Sequence, residues 1–193
     1  MTPPAASRRI LLPILAAGLC LAAAGCAGDS TEKELREIEE SYRALRDAIL
    51  QGDDEAFFRM HSAASREHAV RDFPIHRSRY LALPDEGKKS FLADARMTAE
   101  EFLGGDPQVL AVRLLPWESG WRERREMFRA AKVKDVRIER VTLPGGVLER
   151  RGVVVLDISG YTSPGTAVPE SHLPTVVFVK DPEGWRRRSF FME

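Results

Sequence analysis

The sequence predicts an α+β fold: a long N-terminal helix and further short helices packed on a curved antiparallel sheet of about four strands. Three observations predict it. Up to Ala131 the apolar residues recur with a helical period. From Lys132 onward they recur with a strand period. The late strands are joined by short Pro- and Gly-containing turns, as in a meander. At 193 residues, 44% hydrophobic and 30% charged, the chain has ordinary globular composition and supports one good core.

The first helix of the folded part runs from about Glu32 to Gln51. Thr31-Glu32-Lys33-Glu34 reads as a capping box at its start. Leu35, Ile38, Tyr42, Leu45 and Ile49 make one apolar stripe. The stripe is too short for a coiled-coil seam, so burial against the chain's own strands is expected. Gly52 ends the helix. Asp53 or Asp54 caps a second helix through Phe57, Phe58 and His61, and a polar stretch with Pro74 and Pro84 follows. A third helix carries Phe91, Leu92 and Ala95. Thr98 to Glu101 forms another capping box, with Met97 and Phe102 placed for a hydrophobic staple. Trp117 to Ala131 reads as a further helix, with Trp117, Trp121 and Phe128 on one side.

Val133 to Leu143 is the first strand and Pro144-Gly145-Gly146 its turn. VVVLDIS (153–159) is apolar on both faces, so it should lie centrally in the sheet. A loop rich in Gly, Ser and Pro covers Gly160 to Ser171. TVVFVK (175–180) and WRRRSFF (185–191) flank Asp181-Pro182-Glu183-Gly184, a hairpin signal.

The first thirty residues carry a different message. Arg8-Arg9, the apolar run Ile10 to Leu21 and the small residues Ala22 to Gly25 form a signal-peptide pattern. The run falls short of the ~20 apolar residues a membrane span needs, and Pro13 interrupts it. Ala23-Ala24-Gly25-Cys26 resembles the bacterial lipobox, with Ala23 where Leu is commonest. The resemblance implies lipidation at Cys26; plain secretion is the alternative. Several acyl chains anchor a protein stably where one does not. The organisation expected is a signal peptide over 1–25, a lipid-anchored tether over 26–30 and one domain over 31–193. Ala27 to Ser30 reach at most about 14 Å, so the domain should stay near the bilayer. By the same resemblance, Ala27 implies the outer membrane facing the periplasm in a Gram-negative host. Otherwise it implies the outer face of the plasma membrane.

SYRALRDAILQGDDEAFFRMHS (41–62), followed by VVFVKDPEGWRRRSFF (176–191), resembles the NTF2-like, or cystatin-like, superfamily. The resemblance implies a sheet wrapped around the long helix as a cone, with a pocket at its open end. The extra helical residues between 63 and 131 depart from the compact pattern and could fill or cap that pocket. Dimerisation through the sheet is common in the superfamily and stays open here.

Charge excludes one class of partner. Two of the 29 basic residues, Arg8 and Arg9, precede Cys26 and no acid does, so from Cys26 onward the balance is close to −2. That is no basis for nucleic-acid binding. With Cys20 and Cys26 the only cysteines, no multi-cysteine zinc site is available. His61, His68 and His76 stand seven and eight apart, where zinc-binding helices want three or four. No nucleophile elbow, metalloprotease, P-loop or dinucleotide motif is present, and no metal or organic cofactor is indicated.

The acid–base candidates are weak. Asp157 is the one acid inside VVVLDIS. A buried Asp there would have a raised pKa, and with Tyr161 and His61 or His172 it could do proton chemistry of the isomerase or dehydratase type, as the resemblance implies for acids, Tyr and His in the cone. The plainer reading is an Asp157 that faces solvent or pairs with an arginine. Trp185-Arg186-Arg187-Arg188 could touch anionic head groups; the plainer reading is a charged edge strand. The function expected is a non-catalytic, membrane-anchored module that binds a small apolar ligand or an envelope protein. The alternatives are an acid–base enzyme and a structural envelope protein with a filled core.

Overall fold

The computed structural model describes residues 12–118, 120, 124–162, 168–169 and 172–188, with side chains from residue 30 onward except 117 and 118. The chain divides into two units, Met1–Arg36 and Glu37–Glu193, and each stands by itself below. The first unit holds the N-terminal part of helix α1 (Leu12–Gln51). That helix does not begin at Thr31, as the capping box predicts. The residues upstream of Thr31 are rich in Ala and Leu, strong helix formers, and neither Gly25 nor Gly28 stops the helix.

The second unit is an α+β domain. After α1 come α2 (Asp54–Arg59), α3 (Ala63–Arg71), α4 (Phe73–Ala82), α5 (Asp85–Ala95), α6 (Ala99–Gly104), α7 (Pro107–Glu118) and α8 (Arg125–Ala130). The strands β1 (Lys132–Thr142), β2 (Leu148–Asp157), β3 (Thr175–Asp181) and β4 (Gly184–Arg187) form an antiparallel meander in the order β1-β2-β3-β4. The sheet is open. β2 is central, as its two-faced apolar run requires, and Val153 to Leu156 are all buried. Asp181 pairs with Gly184 to close the expected hairpin, with Gly184 at φ 109°.

Several helices depart from the sequence reading. The polar stretch around Pro74 and Pro84 folds into α3 and α4. Pro74 lies in the first turn of α4, where a missing N–H costs nothing, and Pro84 caps α5 from outside. The helix expected over 117–131 is realised only in part, as α8 (Arg125–Ala130); α7 begins at Pro107, where no helix was expected, and ends at Glu118, with Gly120 at φ 62° after it. Trp117 and Trp121 lie outside the described side chains. The Thr98–Glu101 capping box forms with both hydrogen bonds, and Met97 and Phe102 are both buried beside it.

Two cores result. In the larger, Ile38, Tyr42, Leu45, Ala48 and Ile49 of α1 pack with Phe57, Phe128, Val154, Leu156, Val176, Phe178 and Trp185. Each large apolar side chain so buried contributes on the order of 2 kcal/mol. The smaller joins Phe73, Tyr80, Ala95, Met97, Phe102, Leu110 and Leu114 of the helices α4 to α7 and the segment between α5 and α6. Two arginines tie α1 to α8 by capping each other's helix ends. Arg46 Nε donates to Phe128 O at 2.8 Å, and Arg125 Nε donates to Ile49 O at 3.0 Å. Each places a cation at the negative end of the partner helix.

Candidate functional site

The acid–base candidates do not form one buried site. Asp157 ends β2, and its carboxylate accepts from the Ser159 N–H at 2.9 Å. That hydrogen bond, with Lys132 and Lys134 nearby, holds its pKa below the usual carboxylate range. It is therefore an ionised turn residue, without the raised pKa that burial would give. Tyr161 is 52% exposed in the following turn, and His172 is exposed.

His61 is fully buried, at the junction of α2 and α3. Its Nδ1 lies 2.9 Å from Phe57 O and its Nε2 lies 2.8 Å from Arg187 Nη1. A guanidinium only donates, so Nε2 accepts and the proton sits on Nδ1, donated to Phe57 O. Burial and the Arg187 charge lower the His61 pKa to about 3. The backbone closes the same junction: Arg187 N–H donates to Met60 O at 2.7 Å and Ser62 N–H to Arg187 O at 2.9 Å. Arg187 lies in the row of the sheet that contains Phe178 and Gly152. Asp157 is five residues further along β2, about 17 Å at ~3.3 Å per residue. His61 and Asp157 cannot share a proton.

The arginine run of β4 is also not one surface. Trp185 and Arg187 are both buried, whereas Arg186 and Arg188 point to the other face, where Arg188 pairs with Glu149. Of three charges read as a basic edge, one is inside, because a strand alternates its faces.

A groove lies where α2 and α3 meet α7. Its larger part is an open trough of about 660 Å³, lined by Phe58, Val109 and Val112 with Asp54, Arg59 and Arg113 among its polar walls. A neighbouring depression of about 370 Å³ shares Phe58 and Gln108 and adds Val70, Arg66 and Arg71. The turn that positions α2 is local: Gly52 at φ 73° reverses the chain, and Asp53 accepts from Ala56 N–H at 2.8 Å as the cap. Val109 is 60% exposed. The rim charges are held in place by ion pairs, Arg113 with Glu101 at 3.4 Å and Arg66 with Glu183 at 3.0 Å. An open trough with apolar floor and alternating rim charges suits a polypeptide segment better than an enclosed small molecule.

Sequence reasoning missed this groove. The signal was present in QVLAVRLL (108–115), which is apolar on more than one face. Leu110, Ala111, Leu114 and Leu115 are buried in the cores, and Val109 and Val112 are left over for a second surface.

Among the described residues no cluster of His, Cys, Asp and Glu could hold a metal ion, and no helix is long and apolar enough to cross a membrane. Comparison with protein families, with curated proteins and with solved structures finds no match to this chain.

Proposed function

We propose that the chain is a bacterial envelope lipoprotein, anchored through Cys26, whose domain is a non-catalytic module that docks a segment of an envelope protein partner. The observation that carries the binding reading is the open groove between α2, α3 and α7 with Val109 exposed in it. The packing between α1 and the sheet supports it too, because Tyr42, Phe57, Phe178 and Trp185 are buried together in one apolar cluster there. The separation of buried His61 from Asp157 and the exposure of Tyr161 and His172 support the non-catalytic part. The anchor rests on the charge, apolar run, small residues and cysteine of 8–26.

Two experiments test the two halves. Cys26→Ala should release the protein from membranes; a variant that still fractionates like the wild type overturns the anchor. A photo-crosslinking residue at position 109, in the intact envelope, should give one discrete protein adduct that the same residue at position 161 does not give. An absent adduct at 109, or a small molecule retained by the native protein in mass spectrometry, overturns the docking reading.

A further inference from the structure

Strand β1 is an open edge. Among the described residues it pairs with β2 alone, and none of its 11 residues is buried. The opposite edge of the sheet is closed: Arg187 N–H donates to Met60 O at 2.7 Å, and Ser62 N–H donates to Arg187 O at 2.9 Å. The ladder fixes which backbone groups of β1 point outward. Leu143 N–H donates to Val147 O at 2.8 Å, so that pair is hydrogen-bonded, and the pairs of an antiparallel ladder alternate. Val141, Glu139, Arg137 and Asp135 therefore turn their N–H and C=O to β2. Thr142, Arg140, Ile138 and Val136 present theirs to the open side. The next ladder gives the same phase: Leu156 N–H donates to Pro174 O at 2.9 Å, which leaves the neighbouring Val155 to bond Asp135. Long edges are usually blunted by a bulge, Lys or Pro. In β1 the bulge at Val133/Asp135 and both lysines, Lys132 and Lys134, gather at one end, and Asp135 to Thr142 (DVRIERVT) has none of these devices.

Charge decides what fits this edge. Asp135, Arg137 and Glu139 share one face of the strand. Arg137 Nε donates to Glu139 at 2.8 Å and its Nη1 to Asp135 at 3.1 Å, which uses two of the five N–H groups of a guanidinium. An antiparallel copy with its two-fold axis at Ile138 sets each Arg137 opposite Glu139 of the partner subunit and places the two Ile138 residues side by side. Axes at Arg137, Glu139 or Arg140 each set like charges directly opposite, which is destabilising. An axis at Val136 runs the pairing into the bulge. The backbone favours the same register. Ile138, Val136 and Arg140 all point their groups outward, so Ile138 exchanges both bonds with its own copy, and Val136 exchanges both with Arg140 of the partner subunit. We propose that the chain forms a two-fold dimer through β1, joining two four-stranded sheets edge to edge into one. The dimer goes beyond the docking and anchor readings and requires neither.

The test uses the full chain in detergent, with a ketoxime-linked spin label on p-acetylphenylalanine at position 142, so that the native cysteines play no part. With the axis at Ile138 the two labelled positions stand four residues to either side of it, about 26 Å apart at ~3.3 Å per residue. Electron–electron double resonance should show that distance. Arg140→Pro removes an outward N–H without touching the β1–β2 ladder and should abolish the dipolar signal. Arg137→Glu and Glu139→Arg should each abolish it through like charges. An equimolar mixture of these two should regain it at the same distance, because every Arg–Glu position across the edge is then opposite in charge. Circular dichroism reports the folding of each variant. A wild-type chain with no dipolar signal overturns the dimer, and a clearly different distance overturns this register. A signal that survives Arg140→Pro, or a mixture of folded charge variants that stays silent, overturns the edge pairing. A monomer whose label is immobilised only by an added envelope protein also overturns the dimer and leaves the edge to a foreign strand.

Discussion

His61 and Arg187 are sealed together in the core, with imidazole Nε2 2.8 Å from guanidinium Nη1 and neither side chain exposed. The pair joins the α2–α3 junction to the end of β4, 126 residues later in the chain. Arg187 has its own pKa lowered to about 9, mainly by burial and further by Arg124, so at neutral pH it is still the charged partner and His61 the neutral one. Removing His61 takes an acceptor away from a buried charge. His61→Ala should cost about 3 kcal/mol, read as a lower urea midpoint with unchanged slope.

The same pair predicts a pH dependence. The folded His61 titrates near 3 and the ordinary value is 6.5. Over that interval the unfolded chain binds a proton that the folded one refuses, so the stabilisation is complete above pH 6.5 and is lost as pH falls. The slope is at most ~1.4 kcal/mol per pH unit, or about 2 kcal/mol between pH 7 and pH 5. Glu101, Asp157 and Glu183, all held low by hydrogen bonds, titrate below that window. His61→Gln should therefore flatten the drop in Tm between pH 7 and pH 5. An equal drop in both proteins would show that another group drives it.

Gly152 predicts a packing effect. It sits in the middle of β2, and a Cβ built there would lie 2.7 Å from both Cδ1 and Cγ1 of Ile38. Glycine in a central strand is normally unfavourable; here it admits the long helix onto the sheet. Gly152→Ala should cost about 1–3 kcal/mol by overpacking. Ile38→Val removes the offending Cδ1 and should recover part of that loss. Chemical denaturation of the two single variants and the double variant gives the coupling. Additive costs would mean the two residues do not press on one another.

These pairs show what the sequence could and could not disclose. The 181–184 hairpin, the 144–146 turn, the Thr98 capping box and the Met97–Phe102 staple are local, set by residues within five positions of each other, and each is legible without tertiary contacts. The long stripe Ile38–Ile49 is legible because burial repeats at a helical period. Arg187 was not legible: WRRR reads as surface until β3 and the 60–62 segment fix which face points inward. α3 and α4 were hidden because Pro74 and Pro84 punctuate a polar stretch and happen to fall at helix starts. The groove at Val109 depends on which side of α7 the two cores leave uncovered, and only packing decides that.

Arg96 predicts a gain in stability. It ends α5 at φ 55° and ψ 45°, the left-handed cap conformation, with its N–H donating to Ala93 O at 3.1 Å and Met97 N–H donating to Leu92 O at 3.0 Å. An L side chain there is strained by about 1 kcal/mol, which glycine avoids. The Arg96 side chain is exposed, at the mouth of a small cavity of about 70 Å³ beside Asp53 and Arg125, so its removal forfeits little packing. Part of the gain is offset by glycine's greater freedom in the unfolded chain. Arg96→Gly should raise stability by about 0.5–1 kcal/mol, which for a chain of this size moves Tm by roughly 1–4 °C. Asn, which tolerates the conformation, should fall between Gly and Arg, and Val, branched at Cβ, should be worst. Calorimetry on the four proteins checks the order. A glycine variant no more stable than the valine variant would mean that the cap conformation is not what limits this position.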